Sequence, residues 1–438
     1  MATVMKEKIT KLLEWKLRIL ARWILAVYKP KVIGVTGSVG KTSTKEAIYT
    51  VLSSKHTVRK NVKNYNNELG VPLSIIGSES GKKNPFAWLR VFVRGLCMAL
   101  FRCARYPEFL ILEMGADCPG DIAYLTKLAP CTVGVVTAVG QVHTELFKTL
   151  DRVVREKQII VTHLKKEGWA VLNADDARVM GMREKVKANV ITFGFSDGAD
   201  VRALEFAHSA GSSPDPWIEQ HIEGASFKLS YGGSTVPVFL KGVLAQHQVY
   251  SALAAAAVGL GLGMNLADIS EALKEYQSPL GRMKLLRGIK HTAIIDDTYN
   301  SSPMATIAAL KVLGGLAVSG KKFVILGDML ELGSYTEEGH RQAGMAAAEV
   351  ADVLVAVGGR SLDTAAAAKE SGMPEDRVFH FGSTERAGKF IQERIKPGDI
   401  MLIKGSQGSR MERVVKELMA EPERAEELIV RQTGEWQP

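Results

Sequence analysis

The stretch that most constrains what this chain can fold into is Thr36-Gly37-Ser38-Val39-Gly40-Lys41-Thr42-Ser43. It follows a β-like run, Lys31–Thr36, and precedes a helical segment at 42–52. A glycine-bearing turn between a strand and a helix lets backbone N–H groups close around phosphate oxygens, and the helix N-terminus adds partial positive charge. In such a cradle Lys41 would reach the terminal phosphates and the Thr42 hydroxyl could join Mg²⁺. The full pattern has a glycine five residues before Gly40, where Val35 stands. The bland alternative is a Gly/Thr-rich turn that merely starts a helix. The strand–turn–helix context favours nucleotide binding on an α/β domain.

The rest of the chain carries the same alternation. Short apolar runs at 109–112 and 133–137 have buried-strand character, and helical segments separate them. This pattern predicts a P-loop central domain with a mostly parallel sheet, over residues 31–282. A second series at 293–295, 323–326, 353–357, 378–379 and 400–403 predicts a doubly wound, Rossmann-like domain over 283–438. Between them, 201–240 alternates and is punctuated by Gly and Ser, as antiparallel strands are. Ile9, Leu13, Leu17, Leu20, Ile24 and Val27 recur at helical spacing, so residues 1–30 read as a basic amphipathic helix that Pro30 ends.

Charge narrows the function classes. The net +9 of the 438 residues is concentrated in two places. Residues 1–31 hold eight Lys/Arg against two Glu, and residues 80–107 hold six Lys/Arg and no acid. The remaining body is therefore slightly acidic, which argues against a nucleic-acid enzyme with a broad cationic face. Cys97, Cys103, Cys118 and Cys131 have no C-x-x-C spacing and read as reduced thiols of a cytoplasmic protein. No apolar run reaches the roughly 20 residues a spanning helix needs. Arg18 and Arg22 interrupt the first apolar stretch, and neither a signal peptide nor a transmembrane helix is expected.

Thr-Gly-x-x-Gly-Lys-Thr-Ser resembles the phosphate loop of the Mur ligases, and the likeness extends across most of the chain. Asn64-Tyr65-Asn66-Asn67-Glu68-Leu69-Gly70-Val71-Pro72 is similar to that family's N-N-E-x-G-x-P segment. Leu112-Glu113-Met114-Gly115-Ala116 resembles its strand-end metal-binding Glu. His143 and Glu156-Lys157 fall where the family has a metal-binding His and a modified Lys. Val171-Leu172-Asn173-Ala174-Asp175-Asp176 and Gly281-Arg282 also match. Three later clusters, 296–303, 326–333 and 404–406, are most similar to the member that adds D-alanyl-D-alanine to the peptidoglycan precursor. Each segment alone is weak; together, in this order, they are specific.

The resemblance implies an ATP-dependent, ADP-forming ligase of cell-wall synthesis. Its expected substrates are UDP-N-acetylmuramoyl-tripeptide and D-alanyl-D-alanine, with two Mg²⁺ ions and an acyl-phosphate intermediate. It assigns ATP to residues 37–43 together with Asn67, Gln248, Arg282, Asp297 and Tyr299, and metal to Thr42, Glu113, His143 and a carbamylated Lys157. Lys41, His143, Lys157 and Arg282 would be catalytic. Asn300, Asp328, Glu331, Lys404 and Ser406 would face the amine substrate. Closure of a cleft between the domains would bring Arg282 and Asp297 to ATP. Read without the resemblance, His143 is a structural histidine, Lys157 a solvated helix residue, and 296–297 a strand-end turn.

Two departures stand out. The family usually has Gly-x-His-Asn, with another Asn three residues later, near the adenine; here the segment is Ala245-Gln246-His247-Gln248-Val249-Tyr250-Ser251. Gln248 still offers an amide, whereas Ser251 cannot copy an Asn. The precursor ligases also carry a uridine-gripping domain, on the order of 100 residues, before the phosphate loop, where this chain has one basic helix. Residues 80–107 read as a helical insertion with Arg90, Arg94, Arg102 and Arg105 in one sector. The two basic helices have three readings: they replace the missing domain, lie on an anionic inner-membrane surface or a partner in wall synthesis, or simply pack on the body. Two further functions stay open: a Mur-type ligase with a non-UDP or lipid-linked acceptor, and a non-catalytic nucleotide-binding regulator.

Overall fold

The computed structural model describes residues 2–61, 65–82, 84–102, 105–140, 147, 149–210 and 222–432. They divide into two compact units. One comprises Met1–Glu205, Phe227–Val238 and His247–Tyr276; the other comprises Phe206–Ser226, Phe239–Gln246 and Gln277–Pro438.

The first unit begins with helix α1 (Ala2–Tyr28), strand β1 (Lys31–Thr36), α2 (Lys41–Ser53), β2 (Val58–Lys60), α3 (Gly70–Ile76), α4 (Pro85–Phe101) and β3 (Phe109–Glu113). It continues with α5 (Asp121–Leu128), β4 (Val133–Val136), α6 (Leu150–Thr162), β5 (Trp169–Asn173), α7 (Ala177–Met180) and β6 (Asn189–Gly194). Strands β7 (Val201–Ala210), β8 (Ile222–Tyr231) and β9 (Ser234–Lys241) follow, of which the parts from Phe206, up to Ser226 and from Phe239 respectively are counted with the other unit, then α8 (Gln246–Gly261) and α9 (Leu266–Leu273). The sheet order is β2-β3-β1-β4-β5-β6-β7-β8-β9, and every pair from β2 to β7 is parallel. The turn between β8 and β9 is Gly232-Gly233, at φ 56° and 81°, the two left-handed residues of an antiparallel hairpin.

The strands of the parallel part are apolar on both faces because helices cover both. Ile33, Leu110, Ile111, Val135 and Val171 are fully buried, as a parallel sheet requires. β1 lies between β3 and β4, so the chain leaves it in one direction and later crosses to the other side. The C-terminal end of β1 is thus the switch point of the sheet, the place where α/β folds bind ligands.

The second unit holds β10 (Lys284–Gly288), β11 (Thr292–Asp297), α10 (Pro303–Gly315), β12 (Lys322–Gly327), α11 (Thr336–Val350), β13 (Val353–Val357) and α12 (Leu362–Glu370). It ends with β14 (Val378–Phe381), α13 (Thr384–Arg394), β15 (Ile400–Lys404), α14 (Glu412–Leu418) and α15 (Ala425–Leu428). The order is β10-β11-β15-β12-β13-β14, with β10 antiparallel and the rest parallel. Period-two alternation sends Val324, Leu326, Leu354 and Leu402 into one core, and Phe323, Ile325, Val355 and Ile403 into the other. Two cores, one on each face, make this sheet doubly wound.

One sequence expectation needs correction. Helix α4 stops at Phe101, and Arg102 takes a left-handed conformation (φ 46°) as its C-cap. Only Arg90 and Arg94 therefore share a helical sector; Arg102 and Arg105 lie beyond the helix end.

Candidate active site

The phosphate loop is shaped by contacts from β4 and the residues that follow it. A Cβ on Gly37 would lie 1.9 Å from Thr137 Oγ1, so only glycine fits there. Gly40 caps α2 at φ 82°, again a glycine conformation. Ser38 donates its backbone N–H to Ala138 O (2.7 Å), and its hydroxyl exchanges hydrogen bonds with Gly140. Thr137 Oγ1 donates to Val39 O at 2.6 Å. Asn173, at the end of β5, donates to Thr137 O, and Asp176 accepts from the Val139 N–H. Side chains of the 171–176 segment thus brace the loop from two strands away.

Register carries Glu113 to the same place. Val35 of β1 pairs with Glu113 of β3, and Thr36 Oγ1 donates to Met114 O at 2.9 Å. Thr42 Oγ1 then donates to Glu113 Oε2 at 3.0 Å, and Asn66 Nδ2 lies 3.3 Å from Oε1. Lys45 is one turn along α2 from Lys41, on the same helix face. It is buried, with its ammonium 3.9 Å from Glu113 Oε2 and 2.9 Å from Asn61 O. Asn61 in turn accepts from the Glu113 N–H and donates to Glu113 O. Sequence reasoning did not single out Lys45, Asn61 or Asn66; the signal for Lys45 was its spacing of four from the loop lysine.

Gly37, Lys41, Asn67, Glu68, Asp117 and Lys157 line one cavity of ≈ 300 Å³. Lys41 folds back on its own loop, donating to Gly37 O at 2.8 Å. Asn67 Oδ1 accepts from Gly70 N and so starts α3. Lys157 is no solvated helix residue: it is 4% exposed. Burial, and then the neighbouring Lys41 charge, push its amine down to about 7. A large fraction is therefore neutral near pH 7, the form that can attack CO₂. Its neighbour Glu156 has a different task. Both carboxylate oxygens accept from α5's first turn, Gly120 N at 2.8 Å and Ile122 N at 2.7 Å. His143 lies outside the described residues. Gln248 is buried on α8, whose Ser251 accepts from Thr44 Oγ1 at 3.4 Å. The first unit thus brings together Gly37–Ser43, Asn67, Glu113 and Lys157.

In the second unit the strand ends of β11, β12 and β15 gather the remaining candidates. Asp297 pairs with Lys404 across adjacent strands, Oδ2 to Nζ 2.6 Å, and its Oδ1 accepts from Met283 N at 3.2 Å. Lys404 also donates to Asn300 O. Ser406 Oγ accepts from Leu330 N. Asp328 Oδ1 accepts from the Arg360 and Ser361 N–H groups, fixing the turn before α12. Glu331 is exposed at φ 65°. The Arg282 guanidinium lies 4.2 Å over the Tyr299 ring. Several of these side chains thus have partners within the fold itself.

No group of three His, Cys, Asp or Glu side chains among the described residues could hold a metal by itself. Thr42 and Glu113 nevertheless suit Mg²⁺, a hard cation that commonly takes one or two protein oxygens and completes its shell with phosphate and water.

The profile of the Mur ligase middle domain matches residues 35–84 and 94–259, and that of the Mur ligase glutamate ligase domain matches 281–407. A UDP-N-acetylmuramoyl-tripeptide--D-alanyl-D-alanine ligase of Mycobacterium leprae is 30% identical over 403 residues, covering 86% of this chain and 71% of that protein. The chain belongs to the Mur ligase family. The Bacillus subtilis ligase of the same name is 28% identical over 404 residues, 92% of this chain and 79% of that one. Among solved Mur ligases, MurF of Thermotoga maritima in complex with ADP superposes with a TM-score of 0.75 at 29% identity, over 94% of this chain and 84% of that one. MurF of Acinetobacter baumannii gives 0.73 at 28% identity, over 91% and 79%. The middle-domain match contains the phosphate loop, Glu113 and Lys157, and the glutamate-ligase match contains Arg282, Asp297 and Lys404.

Proposed function

We propose that the protein is an ATP-dependent ligase that joins D-alanyl-D-alanine to UDP-N-acetylmuramoyl-tripeptide. The observation that carries this reading is the single cavity in which the Lys41 loop and the buried, low-pKa Lys157 meet, with the Thr42–Glu113 pair beside the loop. The names of the most similar relatives supply the substrates.

The chemistry needs charge control more than covalent help. A substrate carboxylate oxygen attacks the γ-phosphorus of ATP, and the bond to the ADP oxygen breaks. The amine nitrogen then adds to the carbonyl carbon of the acyl phosphate. The tetrahedral intermediate loses phosphate, and the nitrogen loses a proton. Lys41 and the loop N–H groups hold the transferring phosphate, which also draws Lys41 away from Gly37 O. Thr42 and Glu113 would hold Mg²⁺, which neutralises phosphate oxygens when bound. A carbamate on Lys157, with His143, would hold a second ion; a neutral amine in a cavity shared with Lys41 is the chemistry carbamate formation needs. Asn67, Gln248, Arg282, Tyr299 and Asp297 serve the nucleotide. Asn300, Asp328, Glu331, Lys404 and Ser406 position the amine substrate.

Purified protein with ATP and both substrates should give a product whose mass is that of the two substrates less one water, with one ADP per product. ADP release unchanged when both substrates are omitted would overturn the reading.

A further inference from the structure

We propose that helices α1 and α4 form a docking face for an anionic lipid bilayer. Each helix has one face packed on the fold, through Leu17, Ala21 and Ile24 on α1 and through Val91 and Met98 on α4. The opposite face of each is also apolar. On α4, Phe86, Leu89, Val93, Leu96 and Leu100 repeat at intervals of three and four residues, and all are exposed, Phe86 to 79%. At about 100° per residue they occupy a sector of roughly 80°. A helix that only packs on a body turns such a stripe inward.

On α1, Leu12, Trp15 and Trp23 are 51–57% exposed, with Ile19 between them half-buried. A groove of ≈ 280 Å³ between the two helices is lined by Trp15, Ile19, Leu20, Trp23, Phe92 and Leu96. The two stripes therefore share one surface, too large in apolar content for an ordinary solvated face.

Charge selects the occupant. Lys16 and Arg22 flank the α1 stripe on either side, and Arg90 and Arg94 run beside that of α4. Among the described residues none of these four has a carboxylate within ion-pair distance. Long cationic side chains beside apolar ones, with indoles between, suit a surface that is apolar within and anionic at its rim. A second copy of this chain fits poorly, because a two-fold contact would bring these cations against one another. No helix of the described residues is long and apolar enough to cross a membrane, so contact is by insertion of side chains.

The test is co-sedimentation of the full chain with phosphatidylcholine vesicles, with and without about one third phosphatidylglycerol, at low and high salt. Binding should be strong on the anionic vesicles at low salt and fall by at least roughly tenfold with salt or on neutral vesicles. The exposed double variants Arg90→Glu/Arg94→Glu and Leu89→Asp/Leu96→Asp should each lose binding by about tenfold or more while keeping the wild-type melting temperature and ligase activity in solution. No binding to anionic vesicles at low salt overturns the proposal. So does equal binding to neutral vesicles, or a dimer in solution that both double variants dissociate.

Discussion

Lys41 and Lys157 are both cations by composition, yet the fold treats them oppositely. Lys41 keeps backbone acceptors and an open cavity, so Lys41→Ala should abolish ADP formation and leave the melting temperature within a few degrees of wild type. Unchanged ADP formation in a folded Lys41→Ala protein would remove the loop from the mechanism. Lys157→Ala should be nearly inactive and partly rescued by short carboxylic acids, which can stand in for a carbamate; rescue is read as ADP release against acetate concentration. Asp296 gives the pH prediction. It is fully buried, and among the described residues its Oδ2 has no hydrogen-bond partner. Burial raises its carboxyl to about 6 from 3.8, outweighing the bonds from Thr298. Because the folded state holds this proton more tightly than the unfolded chain, the group's favourable contribution is complete below pH 3.8 and is lost as pH rises through 6. Asp296→Asn should therefore be more stable than wild type at pH 7.5, by up to about 3 kcal/mol. The gap should close as pH falls to 4, in paired melting curves.

At the scale of elements, strands and helices were largely legible because their periodicity is local. Lys31–Thr36 is the first strand of the fold as its apolar run indicates, and the five later runs expected in 283–438 are β11 to β15. The extent of α4 was not legible: Arg continues the charge pattern past Phe101, while the helix ends on a left-handed Arg102. Partnerships across strands were hidden too, since nothing near residue 113 announces Lys45 or Asn61. Glu156 was read with Lys157 as one motif, but their side chains part company. Glu156 receives two N–H groups that would otherwise begin α5 without acceptors. Glu156→Ala should cost about 1–2 kcal/mol, measured by urea denaturation. Glu156→Gln should recover part of that, because an amide oxygen still accepts one bond.

For the whole molecule, the sequence conveyed two sheets and their order along the chain, because alternation of apolar runs is a global signal. It could not convey that several strand-end residues of the second unit already have partners. Nucleotide should stabilise the whole chain by mass action. A non-hydrolysable ATP analogue with Mg²⁺ at 100 times its dissociation constant should add about 2.7 kcal/mol, seen as a rise in melting temperature. The same analogue should leave Lys41→Ala nearly unmoved.

The pair formed by Asp297 and Lys404 has a consequence for how such a sequence can change over time. Each residue is the other's counter-charge in a largely buried site, the Lys404 side chain 2% and the Asp297 side chain 13% exposed. Replacing one alone strands a buried ion, at a cost of about 3–5 kcal/mol, whereas replacing both can be nearly neutral. Single replacements should therefore be less stable than the double replacement, in paired urea denaturation curves. On stability alone, the two positions, 107 apart in sequence, should therefore change together rather than singly.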